Sequence, residues 1–317
     1  MPRLPRIFRS APDGPPAPFV VASPRSGTTL LRMMLDAHSE LAIPSETHFV
    51  PELIDAFSER RLSPDETLEL LREHRRWGDF HLEPAELLAR LREREPLDAG
   101  ASLRAFFSLY AQSQGKRRWG DKTPEYVEAM RPISRALPEA RFVHVIRDGR
   151  DVAMSRVRWR MKRAGKRPPM ERLAKRWKKA ITGARKQGER LPHYLEVRYE
   201  DLIADTEATL RRVCEFVELD FDDAMLAYHE RAAERLAEID QTLPETDDRV
   251  ALAGSQRLSK HEMTTKPPER ERIFAWRGEM SEEDLATFEA VAGDLLRELD
   301  YPVGDGARDR ASAVAEG

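Results

Sequence analysis

One cysteine, Cys214, stands among 317 residues, so neither an internal disulfide nor a multi-cysteine metal site can form. The eight histidines fall into no H-E-x-x-H or comparable spacing, and no G-x-S-x-G elbow occurs. No metal is therefore expected, and hydrolase chemistry has no support. No run approaches the roughly 18 apolar residues that a bilayer span needs. The start, MPRLPRIFRSAPDGPPAPF, is Pro-rich and basic and carries no apolar stretch of signal-peptide length. A cytoplasmic protein without a membrane span is the expectation. The formal net charge of −3 gives no general attraction to nucleic acid or anionic lipid, so any anion must be held locally.

Hydrophobic residues make up 40% and charged residues 34%, enough apolar side chains for one sizeable α/β core. No repeat or linker divides the chain. Residues 1–17 read as a flexible lead-in, 18–303 as one domain and 304–317 as a disordered tail. PFVVAS (18–23), RFVHVIRD (141–148) and HYLEVRYEDL (193–202) read as buried strands, and LAIP (41–44) as a short one. Helices are expected from Gly27, and over 150–190, 206–217, 222–240 and 281–299. The block 51–115 is helical with punctuating prolines, and Ser63-Pro64-Asp65-Glu66 looks like a cap; this lobe should shape an acceptor pocket. Strands alternating with helices predict a mainly parallel central sheet flanked by helices, with ligands beyond the strand ends.

The stretch SPRSGTTLL (23–31) joins the first strand to a helix through a Gly/Ser/Thr turn. Such a turn aims unpaired backbone N–H groups and a helix dipole at one spot, which suits an anion. Gly27 permits close approach, Ser26, Thr28 and Thr29 offer hydroxyls, and Arg25 offers a charged fork. An ordinary strand–turn–helix junction would use the same residues. The ATP-binding pattern G-x-x-x-x-G-K-[ST] fails at Ala22 and at Thr28, where its first glycine and its lysine belong. That lysine works against dense triphosphate charge beside magnesium. A sulfuryl group on a phosphate needs less. A small-molecule kinase with a degenerate loop is the competing reading.

Behind the second strand comes VIRDGRDVAMSR (145–156), in which Arg147 at the strand end and Ser155 on the next helix can converge on a phosphate. A surface ion-pair cluster is the bland alternative. Residues 150–190 carry 16 Lys and Arg against three acids, with Trp159 and Trp177 as their two aromatics. No stacking platform for nucleic acid is visible there. The first part reads as an electropositive wall for a nucleotide; the rest is either a solvated face or an attraction for an acidic acceptor.

SPRSGTTLL resembles the 5′-phosphosulfate loop of the sulfotransferases that use 3′-phosphoadenosine 5′-phosphosulfate (PAPS), and PRSGTTLLRMMLDAHSE…SET is most similar to the tyrosylprotein sulfotransferases and their bacterial relatives. The resemblance implies a P-loop-like sulfotransferase fold, PAPS as co-substrate, PAP as product, and 3′-phosphate binding by Arg147 and Ser155. Glu46 in IPSETHF matches the family's catalytic glutamate by its spacing from Arg25; capping of the following helix is its ordinary alternative. His48 is the second candidate base, since cytosolic sulfotransferases use a histidine. Lys122 in RWGDKTPEY resembles the lysine placed against the bridging oxygen, with Asp121 expected to hold it by a local ion pair. Together with Arg25 it would stabilise the leaving phosphate. Tyr199 matches a tyrosine near the nucleotide, and a core tyrosine equally. Lys266-Pro267 and Trp276 resemble the loop that closes over PAPS, while Ser259, Lys260 and Thr264 compete for the place of the family's serine. The acceptor is a hydroxyl on a metabolite, a glycan or a phenol such as tyrosine. A homodimer and a non-catalytic nucleotide-binding regulator are left open.

Overall fold

Ala17–Ala22 (β1) is buried along its whole length, as a strand covered on both faces must be. In the computed structural model, which describes residues 14–246, 251–258, 262–304 and residue 307, β1 begins one residue before the expected start. Most of the expected lead-in and tail lies outside the described residues, as do Ser259 and Lys260. The other strands are Leu41–Ala42 (β2), Arg118–Trp119 (β3), Asp121–Lys122 (β4), Ala140–Ile146 (β5) and Tyr194–Arg198 (β6). Four of them form a sheet in the order β4-β1-β5-β6, every pairing parallel, and β2 pairs with β3 apart from it.

Helices fill the intervals: Thr28–Asp36 (α1), Val50–Glu59 (α2), Pro64–Glu73 (α3), Pro84–Arg92 (α4), Ala99–Ser113 (α5), Met130–Ala136 (α6), Gly149–Ala164 (α7) and Met170–Gly188 (α8). After β6 come Tyr199–Ala204 (α9), Thr206–Phe216 (α10), His229–Ala237 (α11), Gly254–Leu258 (α12), Trp276–Glu279 (α13) and Glu282–Glu298 (α14). No helix among the described residues is long and apolar enough to cross a membrane.

Alternation along β1 divides the core. Val20 and Ala22 face a cluster with Leu31, Met34, Val143, Val197 and Trp177, while Phe19 and Val21 face one with Phe49, Phe106, Phe107 and Tyr126. The second cluster is built on α2–α5, where Phe106 meets Phe49 edge-on at 4.8 Å and Phe80 at 5.0 Å. The cap expected before α3 is present as a reciprocal box: the Glu66 amide donates to Ser63 Oγ at 3.2 Å, and the Ser63 amide to Glu66 Oε2 at 2.8 Å.

Register positions the site. Ala22 lies opposite Val145, so the turns that follow β1 and β5 leave the sheet side by side. From β1 the chain moves to β4 on one flank, and from β5 to β6 on the other. The gap between β1 and β5 is thus the switch point at which such sheets bind ligands.

Candidate active site

Gly27 sits at φ +92° as the residue before α1, and no side chain caps that helix. Its first amides therefore remain free to meet an anion. A Cβ at Gly27 would come within 2.3 Å of the Tyr199 ring, so only glycine lets loop and tyrosine close up here. Arg25 also has a positive φ, 84°, and its Nε donates to Ser155 Oγ at 3.1 Å, tying the first turn to the helix behind the second. Ser26 differs from expectation. Its hydroxyl donates to the Ser23 carbonyl at 2.7 Å inside the loop, and the side chain is fully buried, so it shapes the turn instead of facing the cavity.

In the second turn, Arg147 stacks over Tyr199 with 4.2 Å from guanidinium carbon to ring centre. Its Nη2 donates to the Arg272 carbonyl at 2.8 Å and lies 3.5 Å from Asp151, while its buried Nε has no hydrogen-bond partner. A buried guanidinium N–H without a hydrogen-bond partner, in a cavity that Ser155 also lines, suits a phosphate oxygen. The turn itself is braced from behind. Asp148 caps α7 and pairs with Arg150 at 2.7 Å, and the Trp276 indole donates to Asp148 at 3.1 Å. The Trp276 side chain is thus a buried support of this turn.

Glu46 is the most densely contacted acid of the site. Lys122 Nζ donates to its Oε1 at 2.7 Å, Arg76 Nη2 to its Oε2 at 3.4 Å, and His48 Nε2 lies 3.3 Å from the same oxygen. Burial alone would raise its pKa, but Lys122, His48 and Arg76 hold the carboxyl well below the usual range. Lys122 is itself lowered, first by burial, with Glu46 opposing. Lys122 also reaches Thr29 Oγ1 of the loop at 3.4 Å. The expected Asp121–Lys122 ion pair is not the arrangement found. Neighbours on a strand point to opposite faces, and Asp121 instead accepts from Thr47 at 2.7 Å and Thr123 at 3.4 Å. Burial pushes that carboxyl up to about 6. With Tyr126, which bonds Thr47 at 2.7 Å, this polar knot fixes the turn that carries Glu46.

One cavity of about 630 Å3 gathers Arg25, Gly27, Thr28, Thr29, Glu46, Lys122, Arg147, Ser155 and Tyr199 on its wall. Arg156, Arg158 and Arg160 of α7 line it too, so the front of the basic segment is indeed an electropositive wall. Arg172 and Arg176 follow from α8, whereas Lys178 and Arg185 spend their charge on Asp294 and Glu196. The crowding weakens the cations' hold on their protons: Arg156 falls to about 10, by burial first and then by repulsion from Arg176, and Arg25 is lowered by burial, Arg147 and Arg158. Thr264, Pro267 and Pro268 reach the wall, whereas Lys266 between them is exposed and off it, its carbonyl accepting from Tyr228 at 2.6 Å. Arg76 was not anticipated. It lies 30 residues from Glu46 in an unremarkable HRRW run, and no spacing rule links the two.

A sequence profile described as the Sulfotransferase family matches residues 16–223. Protein-tyrosine sulfotransferase A of Caenorhabditis elegans is 26% identical over 288 residues, spanning 89% of this chain and 66% of the relative. Nodulation protein NoeE of Sinorhizobium fredii is 26% identical over 328 residues, 94% of this chain and 70% of the relative. The chain thus spans about two thirds of the length of the curated relatives it matches. Among solved structures, the sulfotransferase domain of the Synechococcus olefin synthase superposes with a TM-score of 0.54 at 23% identity, over 90% of this chain and 98% of that one; this likeness speaks to the fold.

Proposed function

The chain belongs to the sulfotransferase family, and on that premise we propose that it transfers a sulfuryl group from PAPS to an acceptor hydroxyl, with Glu46 as the base. The observation that carries the reading is the meeting of two anion-suited turns in one cavity, joined by the 3.1 Å Arg25–Ser155 hydrogen bond. A nucleotide with anions at both its 3′ and 5′ positions fits two such turns. The fit rests on the uncapped α1 amides, the space at Gly27 that a Cβ would fill, and the unpartnered Arg147 Nε. The turn 25–29 would hold the phosphosulfate, and Arg147 with Ser155 the 3′-phosphate. When bound, PAPS supplies the sulfuryl group and a phosphate leaving group.

Glu46 takes the acceptor proton; Lys122 and Arg25 neutralise charge gathering on the leaving side. Lys122 has two claims on it, the Glu46 carboxylate and the loop at Thr29. Charge drawn to the loop loosens its hold on Glu46, whose pKa then rises towards that of a better base. Base strength is in this way linked to nucleotide occupancy. His48, hydrogen-bonded to Glu46, supports the carboxylate in this scheme instead of replacing it. A phenol such as tyrosine is supported as acceptor by the naming of the nematode relative; a metabolite or glycan hydroxyl stays within the proposal.

The test is a thermal-shift series with PAP, 5′-AMP and ATP–magnesium, followed by labelled PAPS with a panel of phenols, sugars and alcohols. PAP should stabilise most, by about 2.7 kcal/mol at a hundred times its Kd, and Glu46→Ala should cut transfer by about 10²–10⁴ with PAP affinity kept. Preference for ATP–magnesium would turn the reading into a kinase. PAP binding with no transfer to any acceptor would leave a nucleotide-binding regulator.

A further inference from the structure

Beside Glu46 a row of charges, Arg76 and Arg257 on the cavity wall and Asp79 buried between them, is left without a task by the transfer reaction. Arg76, after the end of α3, sends Nη2 to Glu46 Oε2 at 3.4 Å, while its Nη1 lies 3.7 Å from Asp79 Oδ2. Asp79, in the one-turn helix Trp77–Phe80, is only 1% exposed. Its carboxylate is gripped from the other side by Arg257 of α12, 3% exposed, with Nη1 donating to Oδ1 at 2.8 Å and Nη2 to Oδ2. Arg257 is anchored in turn by donating to the Gln241 carbonyl at 2.9 Å. The row therefore reads Glu46, Arg76, Asp79, Arg257, with alternating sign.

A carboxylate buried this deeply is tolerated only with both oxygens engaged, so Asp79 is a fixed point. A long arginine at a cavity wall otherwise has rotamer freedom to lose before it can hold anything still. Four groups face Glu46: Lys122 from β4, His48 from its own turn, Arg25 from the loop and Arg76. Lys122 is shared with the loop and Arg25 is tied to Ser155, so Arg76 is the arginine hydrogen-bonded to Glu46 that stays when Lys122 turns away.

Resting on the reading of Glu46 as base, we infer that Asp79, clamped by Arg257, is a positioning residue: it holds Arg76 against Glu46 and so fixes where the carboxylate points while it accepts a proton. Asp79 itself is walled off from the acceptor. Its effect reaches the reaction through Arg76 alone.

The experiment follows PAP release from PAPS with the most active acceptor of the panel, across roughly pH 5 to 9, beside PAP calorimetry and thermal melting. Arg76→Ala should lower kcat by about tenfold to a hundredfold and move the acid limb of the profile up by about one unit, because a cation that favours the ionised carboxyl is gone. PAP affinity should be unchanged, and Arg76→Lys should recover part of the loss. Asp79→Asn and Arg257→Gln should shift the same limb in the same direction by less. The double variant Arg76→Ala/Asp79→Asn should be no slower than Arg76→Ala. The proposal is overturned if Asp79→Asn lowers melting but leaves kcat and the limb at wild-type values, or if its loss multiplies onto that of Arg76→Ala. It is equally overturned if acceptor KM rises with the limb unmoved, since Arg76 would then grip the acceptor. Should Asp79→Asn not fold, Arg257→Gln carries the same comparison. A wild-type protein that binds no PAP removes the transferase reading, and this one with it; intact PAP affinity in the variants isolates the positioning claim.

Discussion

Among its partners, the Lys122 ammonium weighs most on Glu46. Lys122 approaches it to 2.7 Å and is, after burial, the largest influence on its pKa. The sign follows directly: a nearby cation favours the ionised carboxyl, so removing it raises the pKa. Lys122→Met should therefore do two things at once. It should cost transfer about a hundredfold through the lost charge on the leaving side, and it should carry the acid limb of the residual rate to higher pH. A pH series of labelled transfer separates the two, since a lysine serving only the leaving group would lower the rate and leave the limb in place. None of this coupling was legible in the local sequence, where the acid nearest Lys122 is Asp121. Strand geometry sends Asp121 to the other face, into the Thr47–Thr123–Tyr126 knot. The true partner arrives from 76 residues away.

At the scale of elements, the two turns lie side by side because β1 and β5 are adjacent, parallel and in register. Both strands were legible as buried apolar runs, and both turns as polar ends that follow them. The capping box of α3 was legible too, since its reciprocal bonds lie within four residues. What periodicity could not give is the contact between turns: Arg25 on Ser155 spans 130 positions, and Tyr199 against Gly27 spans 172. The same limit explains Lys266 and Trp276, whose segments resemble a covering loop while one side chain is exposed and the other supports α7 from within. The tightness at Gly27 makes a sharp test. Gly27→Ala forces a side chain onto a φ of +92° and into the Tyr199 ring at 2.3 Å, a strain of order 1–3 kcal/mol. Calorimetry should show PAP affinity down by about tenfold or more, and melting should fall as well, since the strain is borne by the folded state and Tyr199 is a buried member of the core. Unaltered PAP affinity would mean that no ligand approaches this backbone.

Across the whole molecule, the chain's last described residues brace the site made by its first. Glu200, at the start of α9, accepts from the Asp148 amide at 3.0 Å and from the Tyr301 hydroxyl at 2.9 Å, while Arg150 donates to the Pro302 carbonyl at 2.8 Å. The turn that presents Arg147 is thereby locked to the segment beyond α14. Burial, the largest influence, and the nearby Asp148 charge push the Glu200 carboxyl up to about 7, against hydrogen bonds and Arg147 that favour ionisation. A carboxyl raised from 4.5 to about 7 on folding holds its proton more tightly in the native state. Its contribution to stability is then complete below pH 4.5 and is lost as pH rises through about 7. Other acids titrate in the same window, Asp121 and Asp151 at about 6 among them, so the wild-type curve alone does not isolate it. The difference from Glu200→Gln does. Glutamine still accepts from the Asp148 amide and never ionises, so its melting temperature relative to wild type should climb steadily between pH 5 and 8, a window that brackets the pKa of about 7. A gap that stays constant over that range would show that Glu200 is already ionised in the folded protein, and that the Tyr301 hydroxyl donates to a carboxylate instead of sharing a proton with a neutral acid.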